Sequence, residues 1–100
     1  MPTVSFLKAV ANPARRQVLA WLRDPRAHFP PQVDGDLVVD GVCAVFLADK
    51  LGISAPALSA HMRLLSAAGL VVATRKRGWV FYRRDDDALR RAVAELGATL

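Results

Sequence analysis

Long apolar runs, cysteine pairs and phosphate-cradling glycine clusters are all missing from this chain, and each absence narrows what it does. No stretch approaches the roughly 18 apolar residues that span a bilayer, so no transmembrane helix is expected. Met1 to Lys8 lacks a basic segment followed by a long apolar stretch and a cleavage site, so no secretory leader is expected and the chain reads as cytoplasmic. Cys43 is the only cysteine, which excludes an internal disulfide framework; a reducing compartment leaves the thiol free unless it has a sensing role. There is no Gly-rich phosphate loop, and Cys43, His28, His61 and the scattered serines show no nucleophile, base and orienter spacing, which argues against an enzyme. One absence is local: from Ser54 to Arg84 there is no acidic residue.

That same stretch carries Arg63, Arg75, Lys76, Arg77, Arg83 and Arg84, whereas Asp24 to Asp49 holds five aspartates against one arginine. The net charge of +5 is therefore segregated, with a polyanion-binding face expected beside a separate acidic loop. A length of 100 residues, 53% of them hydrophobic, is enough for one core, so residues 1–100 read as one domain.

The periodicity gives the order of elements. Phe6, Leu7 and Val10 make a short helical pattern over Ser5 to Ala11. Asn12-Pro13 then supplies an N-cap and a first-turn proline for a second helix with Val18, Leu19 and Leu22 on one face, stopping before Asp24-Pro25. Arg26 to Gly41 contains Pro30-Pro31, Gly35 and three aspartates and predicts an extended loop, with Leu37-Val38-Val39 as a possible short strand. Loops of this length tend to be functional or mobile, which makes it a candidate regulatory element. A helix is expected from Val42 to Leu51, ended by Gly52. After a tight turn, Ser54 caps a further helix lined by Leu58, Met62 and Leu65, and two helices so joined form a helix-turn-helix. Leu70 to Arg75 and Trp79 to Arg83 flank Lys76-Arg77-Gly78 as a β-hairpin with a basic tip, with Trp79 and Tyr82 expected in the core. Asp85-Asp86-Asp87 opens a last helix with an apolar stripe of Leu89, Val93 and Leu96. The expected fold is mainly α with a small β-hairpin wing, in the order α-α-(long loop)-α-α-β-β-α.

A helix that fits a major groove beside a basic hairpin that follows phosphates is a DNA-reading arrangement. The candidate contacts are Ser54, Ala57, Ser59, Ala60, His61 and Arg63 on the helix and Arg75, Lys76 and Arg77 on the wing. Small residues near the helix start let the backbone approach bases, and the wing cations hold phosphates and make binding salt-dependent. Two other classes stay open: a module whose wing docks an acidic protein partner, and a non-specific DNA-binding protein.

FLKAVANPARRQVLAWLR from Phe6 to Arg23, FLADKLGISAPALSAHMRLLSAAG from Phe46 to Gly69, and Gly78-Trp79-Val80-Phe81-Tyr82 together resemble the ArsR/SmtB family of dimeric winged-helix repressors. The resemblance implies a homodimer built from the first and last helices, with Phe6, Leu7, Val10, Leu89, Val93 and Leu96 at the contact. It further implies an inverted-repeat operator in double-stranded DNA, and release of DNA when an effector binds. Two departures bear on the effector. Metal-sensing relatives carry Cys-x-Cys where this chain has Cys43-Ala44-Val45, or histidines on the last helix, where Asp85 to Leu100 has none. No cofactor is required by the motifs. As effector, three readings stand together: a redox or thiophilic-metal response at Cys43, a metal ion held by the loop aspartates, His28 and Cys43, and a small organic ligand in the dimer. Beside them stands Cys43 as a small buried hydrophobe on a helix. Ala55, Ala57 and Ala60 replace longer polar side chains of relatives, so base readout is expected to lean on DNA shape.

Overall fold

A computed structural model describes residues 2–100; Met1, at the front of the expected domain, lies outside the described residues. The elements run α1 (Pro2–Val10), α2 (Pro13–Arg23), a 3-10 turn (Pro25–Ala27), β1 (Val42–Cys43), α3 (Ala44–Leu51), α4 (Ala55–Ala67), β2 (Val71–Lys76), β3 (Trp79–Arg84) and α5 (Asp86–Thr99).

The Asn12-Pro13-Ala14-Arg15-Arg16 run is a double cap. Asn12 Oδ1 accepts from the N–H of Ala14 and of Arg15 at 2.9 and 3.1 Å, closing the start of α2. The arginines close the end of α1 in the opposite sense. Arg15 donates from Nε to the Ala9 carbonyl at 2.7 Å and from Nη2 to the Lys8 carbonyl at 3.0 Å, and Arg16 donates from Nε to the Val10 carbonyl at 2.8 Å. Helix ends leave such carbonyls without intrahelical partners, and cations there also complement the helix dipole. Two helices meeting at a corner thus share one polar joint.

The core gathers one face from each of the first four helices: Phe6 and Ala9 of α1, Val18, Leu19 and Leu22 of α2, Leu47 and Ala48 of α3, and Leu58, Met62 and Leu65 of α4. Leu70, Val71 and Val42 close it from the sheet side. β3 is the central strand of a three-stranded antiparallel sheet ordered β1-β3-β2. Lys76 pairs with Trp79, which leaves Arg77-Gly78 as a two-residue hairpin turn. Both turn residues have positive φ, 53° and 81°, the geometry of a type I′ turn that favours glycine at the second position.

Three local expectations are corrected. Val42 and Cys43 are not the first turn of a helix; they pair with Tyr82 and Phe81 as an edge strand, so α3 begins at Ala44 and the wing has a third strand. Leu37-Val38-Val39 is not a strand. Asp36 Oδ2 accepts from the N–H groups of Val38 and Val39 at 2.8 and 2.7 Å, turning the chain back so that Asp40 and Gly41 bond the Asp36 carbonyl. Nor is the long loop extended over its length. Phe29 and Leu37 are buried in the core, and Lys50 Nζ lies 5.3 and 5.4 Å from the ring centroids of Trp21 and Phe29, clamping the loop's start. Gly41 (φ +107°) passes so close to β3 that a Cβ there would stand 2.2 Å from the Tyr82 carbonyl oxygen.

Candidate DNA interface

Ser54 Oγ accepts from the Ala57 N–H at 3.2 Å and fixes the start of α4, with Pro56 in its first turn. The buried Leu58, Met62 and Leu65 face the core, so Ser59, Ala60 and Arg63 come out on exposed positions of the same helix, while Ala57 is half-buried at its edge. Leu64, half-exposed at 46%, also lies on the outer side.

His61 has a different setting from the rest. It is half-buried on the flank of the core face, and its Nδ1 lies 2.9 Å from Arg15 Nη1. A guanidinium only donates, so Nδ1 is the acceptor and the ring proton sits on Nε2. His61 is thus one leg of the α1–α2 joint, and any contact it makes with DNA goes through an Nε2–H donor. Sequence spacing had grouped it with Ser59 and Arg63. The Arg15 link was not legible there, because the partners are 46 residues apart.

The six basic residues of the 54–84 stretch divide into three kinds. Arg84 is structural: Nη1 donates to the Leu19 carbonyl at 3.0 Å and Nε to Asp86 Oδ1 at 2.8 Å. Lys76 Nζ stands 3.3 Å from Asp40 Oδ2 and Arg77 Nη1 3.8 Å from Asp34 Oδ1, both carboxylates belonging to the long loop. Arg63, Arg75 and Arg83 are exposed and have no ion-pair partner among the described residues. Two aspartates of that loop are held below the usual carboxylate range. For Asp36 the main cause is the Val39 N–H, then that of Val38; for Asp40 it is the Asp36 N–H, followed by the Lys76 ammonium. Trp79, expected in the core, is 44% exposed at the wing tip, and Tyr82 is half-buried.

Cys43 is buried at the end of β1, where its backbone N–H donates to Gln32 Oε1 at 2.7 Å. It lines a pocket of about 190 Å³ together with Val45, Phe46, Trp79 and Phe81. Cys43 is therefore buried as expected of a small hydrophobe, but on a strand. The proposed metal set of loop aspartates, His28 and Cys43 is not brought together: among the described residues no three His, Cys, Asp or Glu side chains converge on one point. Of the residues expected at a dimer contact, Phe6 is buried in the core of the chain itself, whereas Leu7 and Val93 are 42% and 58% exposed and Val10, Leu89 and Leu96 are half-buried.

A helix-turn-helix whose second helix turns a small-residue face outward, flanked by a three-stranded wing with a basic tip, defines a winged helix-turn-helix protein. No family model matches the chain. It is 35% identical over 89 residues to the HTH-type transcriptional regulator YbzH of Bacillus subtilis, covering 89% of each chain. Among solved structures it resembles HlyU from Vibrio cholerae (26% identity, TM-score 0.63, 93% of this chain and 86% of that one). NolR from Sinorhizobium fredii is similar as well (26% identity, TM-score 0.64, 98% and 83%). An ArsR-family regulator, RHA00566, shares the fold at 17% identity with a TM-score of 0.73, covering 99% and 92%. The chain belongs to the HTH-type transcriptional regulators, and it shares its fold with ArsR-family regulators. It is a DNA-binding regulator and not an enzyme. Among the described residues no helix is long and apolar enough to cross a membrane.

Proposed function

We propose that residues 1–100 form one domain that works as a homodimeric repressor, binding an inverted-repeat operator and leaving it when an effector binds. The observation that carries the dimer is the uncovered apolar stripe of α5. Val93 is 58% exposed and Leu89 and Leu96 are only partly covered, on a helix with no buried residue, next to the exposed Val4 and Leu7 of α1. A helix of this pattern needs a partner for that face. A second copy supplies it with two-fold symmetry, which sets two α4 helices for two half-sites about one helical turn, roughly 34 Å, apart.

Within each protomer, Ser54, Ala57, Ser59, Ala60 and Arg63 form the reading surface, His61 adds its Nε2–H, and Arg75, Lys76 and Arg77 hold phosphates. Ser59 and Arg63 are the base-edge candidates, because they are exposed polar side chains on the outward face of α4. The test is a titration of the DNA upstream of the protein's own coding sequence against a scrambled duplex of equal length, over a range of salt. Specific binding is expected in the nanomolar range, typically 10³-fold or more tighter than to the scrambled duplex, and falling steeply with salt. Equal binding to both duplexes at every salt concentration refutes sequence-specific repression. A monomer mass at the concentrations used for binding refutes the dimer.

A further inference from the structure

We propose that the acidic loop attenuates the wing: Asp34 and Asp40 hold Arg77 and Lys76 in the place where DNA phosphates would otherwise hold them. This rests on the reading of the wing tip as a phosphate contact, and goes beyond it by assigning a role to residues 26–41.

The carboxylates are not carried on a slack segment. Asp40 Oδ2, the oxygen 3.3 Å from Lys76 Nζ, also accepts the Asp36 N–H at 2.8 Å. The turn that presents it is closed by the Asp36 carbonyl, which takes both the Asp40 and the Gly41 N–H at 3.0 Å. Gln32 staples this unit to the sheet, donating to the Gly41 carbonyl at 2.9 Å and accepting from the Cys43 N–H at 2.7 Å. Gly35 lies close against the Phe81 ring, where a Cβ would stand 2.6 Å from Cε1. The loop is thus built onto the same β3 strand that carries the wing, and it sets negative charge beside two of the three tip cations while leaving Arg75 without an ion pair among the described residues. A phosphate approaching the tip meets Arg75 directly but competes with a fixed carboxylate for Lys76 and with a second one for Arg77. Since the loop is anchored, the cations change partner and the carboxylates stay, so the attenuation persists in the complex as a lower affinity and a shallower salt dependence.

Competition for a cation differs from a simple sum of charges, and a double-mutant cycle separates the two. Binding to a mixed-sequence duplex is measured by fluorescence anisotropy for the native chain, Asp40→Asn, Lys76→Gln and the double variant, with the parallel cycle of Asp34→Asn and Arg77→Gln. Asp34 has no other polar side-chain contact among the described residues, so its cycle stands even where Asp40→Asn loosens the turn. The expected result is that Lys76→Gln weakens binding about two- to tenfold more in the Asp40→Asn background than in the native chain, and likewise for Arg77 in the Asp34→Asn background. The salt slope should steepen by about 0.9 for each cation released. Additive effects in both cycles mean that the aspartates act only through net charge, and overturn the proposal. Arg75→Gln serves as the reference: if it leaves binding and salt slope unchanged, the wing is not a phosphate contact, and the reading beneath the proposal fails first.

Discussion

Replacing Arg15 by methionine keeps most of the buried stem and removes three hydrogen bonds at the joint of α1, α2 and α4. Its side chain is almost wholly buried, at 8% exposure, and donates to the carbonyls of Ala9 and Lys8 and to His61 Nδ1 at 2.7, 3.0 and 2.9 Å. The Ala9 carbonyl has no helical alternative, since the residue four places on is Pro13, which has no N–H. Bonds from a charged donor contribute about 1.5–3 kcal/mol each, but burying the guanidinium costs several kcal/mol in desolvation, so their sum overstates the effect. What remains after substitution is one fully buried acceptor left unpaired, at about 1–3 kcal/mol, and two partly buried ones that water reaches more cheaply. The expected loss is about 2–4 kcal/mol. For a domain of this size that is a fall in melting temperature of roughly 10–25 °C, read by calorimetry at matched chain concentration because any self-association also shifts the midpoint. Arg15→Lys, with charge but without the fork, should lie between. A methionine variant that melts within about 3 °C of the native protein, less than about 0.5 kcal/mol, refutes the reasoning. So does nitrogen NMR placing the His61 ring proton on Nδ1 in the native chain, since the Arg15 bond requires it on Nε2.

The other expectations follow from the loop, the proposed dimer face and pH. Gly41→Ala forces a Cβ to within 2.2 Å of the Tyr82 carbonyl oxygen at a φ of +107°, and should cost about 2–4 kcal/mol by chemical denaturation; an unchanged midpoint would show that the loop does not lie against β3. Val93→Glu puts a charge on the exposed stripe of α5 and should convert dimer to monomer by sedimentation with helix content retained, whereas a dimer of undiminished stability would place the contact elsewhere. Asp36 and Asp40 are depressed when folded, so the stabilisation they give is complete above the unfolded value of about 3.9 and is lost as pH falls through their lower folded values. Exchange protection of the Val38 and Val39 amides should therefore hold from neutrality down past the ordinary carboxylate value of about 3.9 and fail only as pH falls through the lower folded value of Asp36; opening that begins near neutrality would contradict the hydrogen bonding at Asp36.

Much of this architecture is local, and local rules are written into the chain. Asn12-Pro13 and Ser54-Ala55-Pro56 carry caps and first-turn prolines that act within three or four residues, so the starts of α2 and α4 stand where those residues put them. Leu58, Met62 and Leu65 share a face by helical geometry alone, and the hairpin follows from two β-branched and aromatic runs around Arg77-Gly78. The segregation of basic from acidic residues was equally plain. Its meaning was not. Only the tertiary structure brings Asp34 and Asp40 onto the wing tip, pairs Val42-Cys43 with β3 in place of a helical turn, and ties Arg15 to His61. Each depends on partners tens of residues apart, whose meeting is set by packing of the whole core and by no spacing in the sequence. The chain by itself determined that this is a winged helix-turn-helix with a basic stretch from Ser54 to Arg84 that holds no acidic residue; which of those basic groups stand clear of ion pairs among the described residues, and which are already engaged, was decided by the fold.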